Sequence, residues 1–171
     1  DKDIWYYLDK DGIMLTGNQE ISGIRYYLNT SGAMQTGWKL MDNNWYYYSS
    51  SGAMKIGWVK DNEKWYYLDK EGIMQTGAHT ISGLRYFLST SGAMQTGWQK
   101  LEENWYFYSD SGIGQTGWLK DHDKWYYLEA KEGTMLVGLN QVDGKQYYFS
   151  ASGAMQTGWK WFDNHYRYFE S

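Results

Sequence analysis

Short aromatic-rich apolar runs alternate along the whole chain with short polar runs carrying glycine, and the alternation recurs every twenty residues. The glycines that close successive copies are Gly17, Gly37, Gly57, Gly77, Gly97, Gly117, Gly138 and Gly158. The spacing breaks once, by a single extra residue in "LEAKEGTM", where an earlier copy reads "LDKEGIM". In the copy "GWKLMDNNWYYYSSSGAMKI", alternation and β-favouring aromatics predict strands at "GWKL" and "NWYYY" with a turn at "MDNN". Similar turn chemistry recurs as "KDNEK" and "KDHDK". Strand alternation sends Trp45 and Tyr47 to one face and Tyr46 to the other. One face of each hairpin is thus free to meet the copy ahead, and the other the copy behind. Trp38 and Trp45 lie symmetrically about that turn, so they are expected opposite one another, with Cβ atoms about 4.5–5.5 Å apart. Trp58 with Trp65, Trp98 with Trp105, and Trp118 with Trp125 repeat the relation.

Self-similarity at this period marks an array in which each copy buries against its neighbours what it cannot bury alone. A second period runs over it. Every third copy, "GNQEISGIRYYLN", "GAHTISGLRYFLS" and "GLNQVDGKQYYFS", lacks both Trp residues: Asn18, Ala78 and Leu139 replace the first, and Arg25, Arg85 and Gln146 the second. The Tyr/Phe pair that follows is kept. The aromatic pair therefore reads as framework, and the Trp pair as a site placed on it. The bland alternative is that Trp serves packing only, with the aliphatic stems of Arg25 and Arg85 substituting for it. The poor packing offered by Asn18 and Ala78, and the joint loss of both Trp, favour the site. A sixty-residue superperiod also suggests three hairpins per superhelical turn, roughly 120° apiece.

Composition sharpens this. The 171 residues include eleven Trp, eighteen Tyr and five Phe, with twenty Gly and no Pro. Aromatics with polar edges suit a thin, half-wet, elongated all-β molecule with many tight turns. A net charge of −4 weakly opposes nucleic acid as a partner. The absence of Cys excludes disulfides and thiolate metal sites. No apolar run has the length of a membrane span and no signal peptide is evident. The chain opens partway through a copy, at "DKDIWYYLDKDG", which reads as a mature form or a fragment of something longer.

Two facing indoles and a ring from the next hairpin make a three-walled aromatic box. Such a box attracts a quaternary ammonium through the ring quadrupoles, about 0.5–2 kcal/mol per good contact. That cation donates no hydrogen bond, so it needs no carboxylate, and the charged positions of the motif fall in turns. Met in "GAM" or "GIM" can add a polarizable wall. Sugars, the other common ligands of flat aromatics, want polar side chains beside the platform, and the motif has few at regular positions. Catalysis is not expected: His79, His122 and His165 occupy dissimilar positions, and Asp42, Asp61 and Asp121 read as solvated turn residues. No cofactor is implied.

The copies, of the form "TGWVKDNEKWYYLDKEGIM", resemble the cell-wall-binding repeats of bacterial choline-binding proteins, a family of autolysins, phage lysins and surface adhesins. The resemblance covers essentially the whole chain, although clostridial toxin repeats and glucan-binding repeats are related. It implies a left-handed β-solenoid of hairpins that grips choline or phosphocholine of teichoic and lipoteichoic acids between consecutive repeats. It also implies a single module, residues 1–171, of about eight repeats with the first and last incomplete. Carried over by position, it implies sites at Trp38, Trp45 and Met54 with Tyr66; at Trp58, Trp65 and Met74 with Tyr86; and at Trp118, Trp125 and Met135 with Tyr147. Trp98, Trp105 and Tyr126 form a fourth, expected to be weaker because Gly114 stands where Met is usual. Trp5, Met14 and Tyr26 form a partial site. The Trp-free copies are not expected to bind, Arg167 replaces the closing Tyr after Gln146, and the unit of Trp159, with Tyr166 for its second Trp, forms no full site.

These readings place the protein at the bacterial cell surface as a multivalent, non-catalytic anchor without membrane insertion. The alternatives are a carbohydrate-binding module for α-glucan or a host glycan, and an adhesive rod whose Trp-free edge meets a host surface protein.

Overall fold

The structure, a computed structural model, describes residues 4–162 and 164–170. No helix occurs among them. They gather into two compact units, one running to Gly77 and including Leu88–Met94, the other comprising Ala78–Phe87 and the chain from Gln95 onward. In the first lie β1 (Gly17–Ile21), β2 (Ile24–Leu28), β3 (Gly37–Met41), β4 (Asn44–Tyr48), β5 (Gly57–Asp61) and β6 (Lys64–Leu68). Next come β7 (Gly77–Ile81) and β8 (Leu84–Leu88). The second unit continues with β9 (Gly97–Leu101), β10 (Asn104–Tyr108), β11 (Gly117–Asp121), β12 (Lys124–Leu128) and β13 (Gly138–Val142). It ends with β14 (Lys145–Phe149), β15 (Met155–Gln156), β16 (Gly158–Phe162) and β17 (His165–Phe169). Consecutive strands pair as antiparallel hairpins, and β15 adds a short third strand to β14. Both units are thus all-β stacks of near-identical hairpins, the solenoid organisation expected of the repeat.

The hairpins are tighter than the sequence suggests. Asp42 (φ 49°) and Asn43 (φ 63°) alone form the loop between β3 and β4. Two left-handed residues in succession make the turn whose twist matches that of the strands, and Asp and Asn tolerate this conformation best among residues with a Cβ. The pairing is centred between Asp42 and Asn43, one residue later than direct opposition of Trp38 and Trp45 requires. Trp38 pairs with Tyr47, and Trp45 with Leu40. The two indoles are diagonal neighbours on one face, not directly opposed. The same correction holds for Trp58 (opposite Tyr67) and Trp65 (opposite Lys60), for Trp98 (Phe107) and Trp105 (Lys100), and for Trp118 (Tyr127) and Trp125 (Lys120).

Within each unit the core is a column, one large side chain per repeat. Leu28, Tyr48, Leu68, Leu88, Tyr108, Leu128, Phe149 and Phe169, the last residues of the even-numbered strands through β14 and of β17, are at most 6% exposed. Leu28, Tyr48, Leu68, Tyr108, Leu128, Phe149 and Phe169 each lie opposite the glycine that opens their hairpin, as Leu28 opposite Gly17 and Leu68 opposite Gly57. A connecting segment then ties each hairpin to its predecessor. Gln35 N–H donates to Tyr27 O of its own hairpin, while Met34 N–H donates to Trp5 O of the one before, both at 2.8 Å. The pattern recurs with Met54 to Arg25 and Met74 to Trp45 in the first unit, and with Gly114 to Arg85 and Met135 to Trp105 in the second. The backbone polar groups of a hairpin too small to fold alone are thus satisfied by the next copy.

Candidate choline-binding grooves

At the groove best defined by the structure, β3 supplies Trp38 and β4 supplies Trp45. Their ring centroids lie 6.4 Å apart at 84°, edge to face. Trp38 also packs on Tyr47 of its own hairpin at 5.0 Å and on Tyr66 of the next at 4.9 Å. These rings open onto a cavity of about 310 Å³ lined by Trp38, Trp45, Tyr66, Met74, Thr90 and Ser91. None of the six carries a charge. Trp38 is half-buried, whereas Trp45 is 42% exposed and forms the outer wall.

The methionine is Met74, not Met54. The register of the connecting segment decides this: Met74 N–H bonds to Trp45 O, so its side chain stands beside that indole, while Met54 N–H bonds to Arg25 O in the preceding copy. Met74 also runs under the turn that forms the far wall. A Cβ at Gly92 would lie 2.4 Å from Met74 Sδ, and Gly92 adopts φ +82°, so only glycine fits there. The same displacement moves every methionine by one copy. Met135 belongs beside Trp105, whose carbonyl it binds at 2.8 Å, and not with Trp118 and Trp125. Met74 is likewise taken from the expected set of Trp58, Trp65 and Tyr86. Met14 runs beneath Gly32, and Met34 instead lines the groove of Trp5 and Tyr26 with Ser50 and Ser51, a cavity of about 420 Å³.

In the second unit, Trp98 packs on Phe107 at 5.2 Å and Tyr126 at 4.9 Å, with Trp105 and Met135 alongside. Gly114 is not part of this groove. It lies against Arg85, to whose carbonyl it donates at 2.9 Å. Trp118 meets Trp125 at 6.2 Å and 88°, Tyr127 at 5.2 Å and Tyr147 at 4.8 Å. Strand β15, with Met155, lies beside β12, which carries Trp125. Of the remaining predicted residues, Trp58 packs on Tyr67 at 5.2 Å, Trp65 is 42% exposed, and Tyr86 lies on β8. Arg167 approaches Gln146 at 3.5 Å, and Trp159 and Tyr166 are largely exposed.

Sequence reasoning missed one participant. Asp61 Oδ2 accepts the indole N–H of Trp38 at 3.2 Å, and Asp121 Oδ2 that of Trp98 at 3.0 Å. Hydrogen bonds from His122 and then Trp98 hold the Asp121 carboxyl below its ordinary range. A carboxylate behind the indole fixes the ring and adds electron density to the face that a cation would meet. The signal was available: Asp closes the first strand in "VKD" and "LKD", and both lie sixty residues apart, like Trp38 and Trp98.

Among the described residues, no group of three or more His, Cys, Asp or Glu could hold a metal ion, and no helix is long and apolar enough to cross a membrane.

A stack of hairpins with repeated aromatic grooves defines a class of repeat module, and comparison with known families says which. The model described as "Choline-binding repeat" matches residues 15–56, 35–75, 55–96, 75–112, 95–138 and 136–171. That described as "Putative cell wall binding repeat" matches residues 1–14. The chain belongs to the choline-binding repeat family.

Among solved structures it is similar to CbpJ from Streptococcus pneumoniae TIGR4, at 36% identity over 93% of this chain and 58% of that one, with a TM-score of 0.87. It is similar to choline binding protein F from Streptococcus pneumoniae in the presence of a peptidoglycan analogue, a tetrasaccharide-pentapeptide, at 40% identity over 90% of this chain and 56% of that one, with a TM-score of 0.82. A CbpF structure in complex with ipratropium matches at 30% identity over 94% of this chain and 73% of that one, with a TM-score of 0.65. The chain thus spans a little over half the length of the first two. A comparison with curated protein sequences finds no match.

Proposed function

We propose that this chain is a multivalent anchor that holds the choline groups of bacterial teichoic and lipoteichoic acids in its aromatic grooves, as one non-catalytic module at the cell surface. The observation that carries the reading is the groove of Trp38, Trp45, Tyr66 and Met74. Three aromatic walls and a thioether line an open space that admits a trimethylammonium head, with only Thr90 and Ser91 as polar lining. A quaternary ammonium gains from ring faces and needs no hydrogen-bond acceptor, whereas a sugar in the same place would leave most hydroxyls unpaired. CbpF, the similar protein, is known with ipratropium, itself a quaternary ammonium. The further grooves are those of Trp98, Trp105, Tyr126 and Met135, of Trp118, Trp125 and Tyr147, and of Trp5, Tyr26 and Met34.

The test is retention on a quaternary-amine resin and elution by free choline, with a choline titration of Trp fluorescence on the wild-type chain and Trp45→Ala. Retention, specific elution and the loss of one choline equivalent in the variant are expected. A chain that flows through, with fluorescence indifferent to choline, overturns the reading in favour of a glycan.

A further inference from the structure

The two arginines that interrupt the Trp pattern occupy the second-Trp position in backbone terms as well as in sequence. Trp45 O accepts from Met74 N–H, Arg25 O from Met54 N–H, and Arg85 O from Gly114 N–H. Across the groove from Trp45 stands the turn of Thr90 and Ser91, closed by Gly92 N–H to Ser89 O. Opposite Arg25 stands the equivalent turn, closed by Gly72 N–H to Asp69 O, and opposite Arg85 the one closed by Gly133 N–H to Glu129 O.

The arginines bridge that space. Arg25 Nη2 donates to Lys70 O at 3.1 Å and Nη1 to Glu71 O at 3.2 Å, across 45 and 46 residues. Arg85 Nη2 donates to Lys131 O at 2.5 Å and Nη1 to Glu132 O, with the Glu132 carboxylate 3.3 Å from Nη2. The planar fork that one guanidinium presents matches two successive carbonyls, which a lysine ammonium cannot do.

From this we infer that Arg25 and Arg85 are resident cations: each sets its own guanidinium across the position that Trp45 lines with an indole, leaving beside Arg85 a space of about 370 Å³ faced by a cation and the Glu132 carboxylate, and so decides which grooves can accept a cation from outside. Two features of the second site support the assignment independently. The turn there is one residue longer, in "LEAKEGTM", yet both carbonyls still receive the fork. The methionine of that groove is replaced by Gly114, whose added Cβ would stand 3.2 Å from Arg85 Cβ, so room is left for the arginine. The loss of the first Trp, at Asn18 and Ala78, fits the same logic, since a groove that already holds a cation gains nothing from the half-buried indole that Trp38 supplies elsewhere.

The part concerning outside cations rests on the proposed choline reading; the latch, the bridge from each guanidinium to the two carbonyls of its turn, does not. Hydrogen exchange of the ligand-free chain tests the latch. In Arg25→Ala the amides of Gly72 and Ile73 are expected to exchange about tenfold faster while those of Gly133 and Thr134 are unchanged, and Arg85→Ala is expected to do the reverse. Arg25→Lys keeps the charge and should not restore protection. Exchange that rises equally in both turns, or in neither, overturns the latch.

The second arm is the double change Asn18→Trp with Arg25→Trp, read by choline stoichiometry. One additional equivalent is expected. A folded double variant that binds no more choline than the wild type overturns the gating role. If the wild type binds no choline at all, the function proposed above fails, and the exchange experiment alone still decides the latch.

Discussion

At the scale of single residues, the carboxylates behind the indoles and the buried tyrosines carry the sharpest consequences. Asp61→Asn keeps the side-chain shape but removes the charge behind Trp38. Choline affinity at that groove should fall about threefold, on the order of 0.5 kcal/mol, with no change in fold, as read by a fluorescence titration. Tyr48 stands in the core column where other copies have Leu, and burial, followed by the neighbouring Tyr46 and Tyr27, pushes its phenol up to about 12. A pKa raised above the unfolded value of 10.0 means that the folded chain holds this proton more tightly. The contribution is therefore complete below about pH 10 and is lost as pH climbs through about 12, a loss on the order of 2 kcal/mol. Alkaline unfolding followed by circular dichroism should begin at higher pH in Tyr48→Phe than in the wild type.

At the scale of the element, the hairpin and its connecting segment set both stability and site. Gly92→Ala would force a Cβ to within 2.4 Å of Met74 Sδ at φ +82°. A destabilisation of about 2–4 kcal/mol is expected by thermal melting, and Gly37→Ala, where no atom lies near the added Cβ, should cost less despite its own φ of +68°. This is also the scale at which the sequence stopped being legible. Alternation and aromatic content announce the strands, the pairing of one hairpin with the next, and a Trp–Tyr contact such as Trp38 with Tyr66. They do not separate a four-residue loop from the two-residue turn of Asp42 and Asn43, because both leave the same residues alternating. Both share one centre, between Asp42 and Asn43, from which Trp38 and Trp45 are not equidistant, so the two indoles meet one diagonal step away from direct opposition. The methionines were misplaced for a different reason. Their partner is set by a backbone bond reaching back to the previous hairpin, as from Met74 to Trp45, and nothing local in "GIM" records which hairpin that is. The core column was overlooked because Leu28, Tyr48 and Phe149 look unlike one another, although each ends a strand at the same place in its copy.

At the scale of the whole molecule, the proposed function has the grooves act together on a polymer. Individually weak sites on one chain gain from one another through effective concentration when the ligand is itself repeated. A polymer bearing many phosphocholines should therefore bind about a hundredfold or more tighter than free choline, and disabling one groove by Trp45→Ala should weaken polymer binding by more than the fraction of sites removed. Surface plasmon resonance on immobilised teichoic acid against free choline checks both.

The groove at Trp38 is assembled from three consecutive hairpins: its own, the one carrying Tyr66, and the turn at Thr90 and Ser91 that follows the third. Gene duplication and unequal crossing-over act on such a chain in an uneven way. A lone copy contributes nothing, a second completes nothing, and from the third onward each gained regular copy brings a full groove into existence. Copies lost from an end take with them the groove of a neighbour that is still intact in sequence. Under the proposed function, binding strength is thus inheritable as a repeat count, with a threshold at its low end.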